Sequence, residues 1–257
     1  MSFLRFLLPF SYFFKSRLQK ARDIIFHFYY EWLIAFLLLA YFTNDSLERV
    51  AVNFFLAYFA FISIYEIGYL GNDVYSVRNE KDPRLRIKNF NPTNTQLILW
   101  VLVRITIFLL ISLYLKVMDN PVWIVFYLLI ILFFLLHNII KQKEYKVFTF
   151  INLAFTRFLA PVFIFLTSEQ LMLIIPSIIL NYVLYRTLTY MDSKQLLVMP
   201  NRTEAGFKLN YYLLIGGLSI LLSLFYKSYI PLLLNGYYLV FWLLFFLKEK
   251  SRRKSVL

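Results

Sequence analysis

The sequence predicts an all-α integral membrane protein: a bundle of about eight transmembrane helices preceded by an amphipathic segment. Three observations carry that prediction. Of the 257 residues, 61% are apolar and 16% charged, with mean hydropathy +0.66, whereas a soluble domain averages roughly 45–50% apolar and about 25% charged. The apolar residues also fall in runs long enough for a bilayer, which takes about 20 residues per helix. Finally, the net charge of +13 is confined almost entirely to segments between those runs. With no cysteine in the chain, a thiol nucleophile, a thiolate metal site and a disulfide are all excluded. Six Gly and eight Pro are too few for collagen or a disordered low-complexity chain.

The elements follow in order. Residues 3–20 set Phe3, Leu4, Phe6, Leu7, Phe10, Phe13 and Phe14 against Arg5, Lys15, Arg17 and Lys20. That is the pattern of a helix lying in the membrane interface, and residues 1–23 are read as a cytoplasmic arm. No small-residue cleavage site follows, which argues against a secretory signal. The expected spans are 24–42, 50–71, 96–117, 122–140, 147–166, 171–190, 209–226 and 230–247, forming one membrane domain over 24–247 before a basic tail, 248–257. All 27 Lys and Arg except Arg49, Arg104, Lys116, Arg157 and Lys227 lie in the arm, in 78–88, 141–146 and 186–208, or in the tail. The positive-inside rule therefore places both termini in the cytoplasm, with a bacterial inner membrane as the expected location. The charge then meets anionic headgroups, and since no basic domain stands outside these frames, no nucleic acid is expected as a partner. Connections 72–95 and 191–208 are long while the outer turns are short, so any site is expected on the cytoplasmic face. No internal repeat and no phosphate-cradling Gly-rich loop is present, and Gly216-Gly217 inside the seventh span reads as a close helix contact.

The polar residues concentrate at the end of the second span. On a helix, Glu66, Tyr69, Asp73, Ser76 and Glu80 share one face. Carboxylates stacked in this way repel one another unless cations compensate, and hard oxygens suit Mg²⁺, which binds through one or two carboxylates plus substrate phosphates. Arg78, Lys81, Arg84, Arg86 and Lys88 follow at once, as gripping a polyanion would require; alone, such a basic run is as readily a solvated loop that enforces topology. Glu31, Glu66, Arg104 and Arg157 lie at membrane depth, where a charge costs about 2.5–3.5 kcal/mol unless paired or wetted. A Glu66–Arg104 ion pair and a substrate role are both open, and Arg157 is the preferred substrate contact. His27 and His137 are read as anchors at headgroup level.

The run Asn72-Asp73 with Ser76 and Glu80 resembles the NDxxDxxxD signature that ends the second helix of UbiA-type intramembrane prenyltransferases, Ser76 replacing the middle Asp. The stretch from Tyr185 to Lys194 stands where that family has a DxxxD-like motif ending the sixth helix, with Asp192 the one acid kept. Lys141, Lys143 and Lys146, followed by Arg157, are similar to the family's Lys-bearing connection into its fifth helix. An Arg in that helix, together with Lys81-Asp82-Pro83-Arg84-Leu85-Arg86, resembles the decaprenyl-phosphate phosphoribosyltransferase branch. The resemblance spans about 24–210 by topology, although the family usually has nine helices rather than eight. It implies a UbiA-like bundle, Mg²⁺ as cofactor on Asn72, Asp73 and Glu80, and catalytic roles for Asp73 and Asp192. It also implies phosphate contacts from Arg78, Arg84, Arg86, Lys141, Arg157 and Lys194.

The expected activity is transfer from a diphosphate donor at the cytoplasmic mouth with an isoprenoid lipid as one substrate. This would be prenyl transfer, or phosphoribosyl transfer to a polyprenyl phosphate. Two other classes stay open: a catalytically degenerate relative that binds a lipid carrier, and a small transporter whose pathway would run through Glu31, Glu66, Arg104 and Arg157. The oligomeric state is not legible.

Overall fold

The computed structural model describes residues 6–76, 86–87 and 90–254, and every element among them is helical. Arg5, Arg78, Glu80, Lys81, Asp82, Pro83, Arg84 and Lys88 lie outside the described residues. Among the described residues seven helices are long and apolar enough to cross a membrane: Asp23–Phe42, Leu47–Ser76, Asn94–Tyr114, Pro121–Ile139, Ser168–Ser193, Ala205–Tyr226 and Ile230–Ser251. The chain divides into two compact units, Met1–Leu166 and Thr167–Leu257.

The first unit begins with the short helix α1 (Ser11–Arg17) and continues through α2 (Ala21–His27), a π-helical turn Phe28–Leu33 and α3 (Ile34–Phe42). Helix α4 (Leu47–Gly71) passes directly into a second π-helical turn, Asn72–Ser76. Helices α5 (Asn94–Tyr114), α6 (Pro121–Ile139) and α7 (Lys143–Leu159) follow. Their starts are written locally. Ser46 accepts from Arg49 N ahead of α4, Thr93 and Gln96 form a reciprocal capping box ahead of α5, and Asn120 accepts from Val122 N and Trp123 N with Pro121 opening α6. Each cap satisfies donors that a helix start leaves unpaired.

Helix α4 lies at the centre, against α3, α5 and α6. A Cβ on Gly68 would come within 2.2 Å of the Phe134 ring on α6, so the absence of a side chain there is what lets the two helices approach. Asn138 Nδ2 reinforces the contact with a 3.4 Å bond to Gly68 O. The outward faces of α5 and α6 carry Leu102, Leu110, Leu113, Leu128, Leu132 and Leu135, all exposed, as expected of helices surrounded by lipid.

Two features depart from the sequence reading. The expected span 147–166 is instead the 17-residue helix α7, a turn and a short 3₁₀ segment, Phe163–Phe165. Pro161 explains the break: Ala160 before it still has a helical conformation, but Pro161 has no N–H to continue the ladder and its ring crowds the carbonyl four residues back. At 1.5 Å per residue α7 is about 26 Å long, short of the roughly 30 Å hydrocarbon core. The second departure is the N-terminal arm, which does not lie apart as an interfacial helix. Phe6, Tyr12, Phe13, Ser16 and Leu18 are buried. Phe6 and Tyr12 pack with Leu70, Val74, Leu97 and Trp100, and Phe13 and Leu18 pack with Ile62.

The second unit is a helical hairpin, α10 (Ala205–Tyr226) and α11 (Ile230–Lys254), packed with α8 (Ser168–Ile178), the π-helical turn Ile179–Val183 and α9 (Leu184–Ser193). Its interior is joined by amides. Asn235 Nδ2 donates to Asn181 Oδ1 at 2.9 Å and to Tyr212 O at 3.1 Å, while Tyr212 Oη donates to Asn181 O at 3.0 Å. In a bilayer such bonds join helices that hydrophobicity alone does not hold together. Gly216 faces Asn235 Oδ1 at 3.3 Å from its would-be Cβ, a close contact as expected, whereas nothing lies within 4 Å at Gly217.

Candidate functional site

Three ion pairs in the first unit, two buried and one half-buried, define the candidate site, and each secures a different part of the arm or its surroundings. Glu66 and Arg104 pair at 2.6 Å with both side chains 0% exposed. Glu66 Oε1 also accepts from Phe13 N at 2.7 Å. Arg104 donates through Nη2 to Phe6 O at 2.9 Å and Leu8 O at 2.7 Å, and through Nη1 to Leu7 O. Trp100 Nε1 adds a bond to Phe6 O at 2.6 Å. The arm's backbone before α1 thus finds its hydrogen-bond partners inside the unit, as buried carbonyls must.

The second pair joins the first π-helical turn to α7. Arg157 Nε donates to Glu31 Oε2 at 2.7 Å and Nη1 to Tyr69 Oη at 2.8 Å. His27 Nδ1 lies 3.0 Å from Glu31 Oε1 and 3.2 Å from Arg157 Nη2. A protonated Nδ1 donates to the carboxylate, and an unprotonated one accepts from the guanidinium. The Arg157 guanidinium carbon stands 5.0 Å from the Phe13 ring centre and 5.6 Å from that of Tyr65, a placement that favours the cation.

The third pair sits where α4 ends. Arg17 Nη1 donates to Asp73 Oδ2 and Nη2 to Asp73 Oδ1, both at 2.9 Å. Tyr12 Oη donates to Oδ2 at 2.8 Å and Asn72 Nδ2 to Oδ1 at 3.1 Å. The Arg17 guanidinium also covers the Tyr69 ring at 4.3 Å, and Tyr69 stacks on Phe13. Burial works against the Arg17 charge, but the hydrogen bonds and charge of Asp73 outweigh it and hold the guanidinium above its ordinary pKa. Burial first, and then the Asp73 carboxylate, raise the Tyr12 hydroxyl well above the ordinary phenol value, so it remains a donor.

The expected shared face is only partly realised. Glu66, Tyr69 and Asp73 all turn towards the arm and its partners, but Ser76 Oγ donates to Asn138 O on α6 at 3.3 Å. The π-helical turn Asn72–Ser76 explains this, because its wider i→i+5 pattern rotates later residues off the α-helical face. His27, expected at headgroup level, is 8% exposed within the Glu31–Arg157 cluster, and His137 Nδ1 lies 2.7 Å from Thr149 Oγ1.

Of the predicted phosphate contacts, Arg157 is buried and already engaged, while Arg86 and Lys141 are exposed. The Arg86 carbonyl accepts from Gln19 Nε2 at 3.0 Å, tying it to the chain just after α1. In the second unit Asp192 closes a loop: Oδ2 accepts from Arg202 Nε at 2.5 Å and Oδ1 from Met199 N at 3.0 Å. Lys194 Nζ stands 5.9 Å from the Tyr190 ring centre. Tyr69 was expected on the shared face, but Tyr12 and Arg17 were not singled out as site residues in the sequence, since nothing local connects Arg17 with an acid 56 positions away.

Among the described residues no group of three or more His, Asp or Glu is placed to hold a metal. Asn72 and Asp73 offer oxygens of the kind Mg²⁺ takes. However, an ionised carboxylate has about four lone-pair sites, and Arg17 (twice), Tyr12 and Asn72 fill those of Asp73. As arranged, Asp73 has no lone pair left for a metal, and Glu80, the third expected ligand, lies outside the described residues.

The fold and this network point to an integral membrane protein whose first unit pairs its intramembrane acids with arginines around a partly buried N-terminal arm. No family model matches the chain, and no curated protein and no solved structure matches it.

Proposed function

We propose that this chain is a membrane transferase of the UbiA type, acting on a diphosphate-bearing donor at the Asp73 end of its second span, with an isoprenoid lipid as one of its substrates. The observation that carries the reading is Asp73 itself. It lies on a π-helical turn closing a 30-residue span, is held by Arg17 and Tyr12, and stands in sequence just ahead of the basic run 78–88. π-Helical turns recur at functional sites, and an acid at the end of an apolar helix is costly to keep without a role.

In this reading the chain's cations receive the diphosphate, and Arg17, Arg86 and Lys141 stabilise the charge that gathers on it as the bond to the transferred group breaks. Arg78 and Arg84 belong to the same proposal; for Asp192 and Lys194, in the second unit, a catalytic and a phosphate-binding role are proposed separately. The aromatic and aliphatic interior keeps water from the cationic fragment of the donor. The membrane is proposed to be a bacterial inner membrane with both termini and the donor on the cytoplasmic side. Mg²⁺ on Asn72, Asp73 and Glu80 would require Arg17 or Tyr12 to withdraw from Asp73.

The experiment is ligand-induced thermal stabilisation and diphosphate release by the detergent-purified protein. Geranyl to polyprenyl diphosphates and phosphoribosyl diphosphate are each presented with and without Mg²⁺. Stabilisation and turnover by one donor class supports the reading and names the donor; inertness to all of them removes it. Asp73→Ala is expected to abolish turnover, since it removes both the acid and the fixed position of Arg17.

A second reading is favoured by one observation: Glu31, Glu66 and Asp73 each already have an arginine partner. Such a balanced network suits a non-catalytic relative that binds a lipid carrier, which would be stabilised by polyprenyl lipids while turning over no diphosphate.

A further inference from the structure

Of the three ion pairs, two are sealed. Glu66–Arg104 is 0%/0% exposed and Glu31–Arg157 is 2%/4%, whereas the side chains of Arg17 and Asp73 are 13% and 7% exposed. The Arg17–Asp73 pair is therefore the one of the three that a water-borne ligand can reach without opening the unit. Its two members are also unequal in what they still offer. The four lone-pair sites of Asp73 are filled, as set out above. A guanidinium carries five N–H donors, and Arg17 uses three of them: two on Asp73 and one in a long 3.5 Å contact from Nη1 to Ser16 O. The unused hydrogen-bonding capacity of the pair is on the cation. A site with free donors and filled acceptors receives an anion more readily than it receives a metal.

The position of Arg17 is well defined. It is the last residue of α1 (Ser11–Arg17), whose neighbours Tyr12, Phe13 and Ser16 are buried. The backbone just upstream is bonded to Arg104 and Trp100, and Phe13 N is bonded to Glu66. Beneath the guanidinium lies the Tyr69 ring, and its planar fork is fixed by the carboxylate. A pre-oriented guanidinium loses less entropy on binding a phosphate than a mobile lysine does, and it can present two parallel N–H groups.

We infer that Arg17 is the phosphate-binding cation of this site, and that Asp73 acts as its counter-ion and orienting group rather than as a metal ligand. This rests on the transferase reading for its substrate class, but it assigns to the N-terminal arm a binding role that the basic run 78–88 and Arg157 were expected to fill. It also reverses the sign expected for one variant. If Asp73 ligates a metal that holds the diphosphate, Asp73→Asn abolishes binding. If Asp73 is the counter-ion of Arg17, Asp73→Asn removes a negative charge that repels the incoming anion, and binding is kept or tightened even though turnover is lost.

The test is calorimetric titration of the full-length protein in nanodiscs with inorganic diphosphate, in excess EDTA and again in excess Mg²⁺, for the wild type, Arg17→Gln, Arg17→Lys and Asp73→Asn. The expected results are EDTA-resistant binding by the wild type and about a tenfold to hundredfold loss in Arg17→Gln, the scale of losing hydrogen bonds from a charged donor. Arg17→Lys should lose less, and Asp73→Asn should bind at least as tightly as the wild type. Should Asp73→Asn fail to fold, the wild type and the two Arg17 variants in EDTA still decide the matter. Binding that requires Mg²⁺, vanishes in Asp73→Asn and survives in Arg17→Gln overturns the inference while leaving the transferase reading intact. No binding by the wild type in either condition overturns both.

Discussion

Arg104→Met tests how the arm is held. The substitution nearly conserves length while deleting the ion pair to Glu66 and the bonds to the carbonyls of Phe6, Leu7 and Leu8. Breaking one side of a buried pair costs about 3–5 kcal/mol, and buried carbonyls stripped of their donors add about 1–3 kcal/mol each when no water replaces the bond. Glu66→Gln is the milder change. It keeps an oxygen for Phe13 N, and Arg104 keeps its three carbonyl partners, so its cost falls at the low end of the range for breaking a buried pair, about 3 kcal/mol. The order, and a gap of about 3 kcal/mol or more between the two, follow from the geometry without reference to function. Thermal unfolding in detergent reads the global effect. Hydrogen exchange at the amides of 10–18 reads the arm, which should lose protection by more than tenfold in Arg104→Met, since each 1.4 kcal/mol is a factor of ten. Equal costs for the two variants, or an arm whose exchange is unchanged in Arg104→Met, would refute the claim that this arginine anchors the arm.

Other expectations can be checked with the same preparations. Gly68→Ala puts a methyl group into the Phe134 ring and should destabilise by at least the 1–3 kcal/mol typical of overpacking (about 2 as a working value); Phe134→Leu in the same chain should recover part of the loss. Asn235→Ala removes two bonds that join the helices of the second unit and should cost about 0.6–2 kcal/mol in thermal unfolding. Asp192→Asn weakens the hold on Arg202 and Met199 N, so exchange at the amides of 194–203 should quicken while α10 and α11 keep their protection. Glu31→Gln leaves Arg157 buried without its carboxylate and should cost about 3 kcal/mol or more.

The membrane character, the order of the helices and the concentration of polar groups at the end of the second span were legible because each is written in local composition. The caps at Ser46, Thr93, Asn120 and Thr167 are local signals of the same kind. The break at Pro161 was not read, although the proline is a local signal for it, and the run 147–166 is not one continuous helix. The pairings were not, because Arg17 with Asp73 and Arg157 with Glu31 join residues 56 and 126 positions apart. A sequence with several intramembrane acids and arginines allows many such matches. Glu66 with Arg104 was one of two readings left open, and the structure realises it as an ion pair that secures the arm. His27 stands four residues before Glu31, so their contact had a helical signal of its own. The π-helical turns have no recognisable sequence mark, and the one at Asn72–Ser76 is what separates Ser76 from Asp73.

The chain lacks cysteine, which permits a direct test of the central claim that the N-terminal arm delivers Arg17 to Asp73. Cysteines placed at 17 and 73 are treated in native membranes with a short thiol crosslinker, alongside a control pair at 68 and 134 that reports only on the contact between α4 and α6. The account predicts efficient crosslinking of both pairs. Crosslinking of the control pair alone would show that the arm lies elsewhere, and would contradict the site described here.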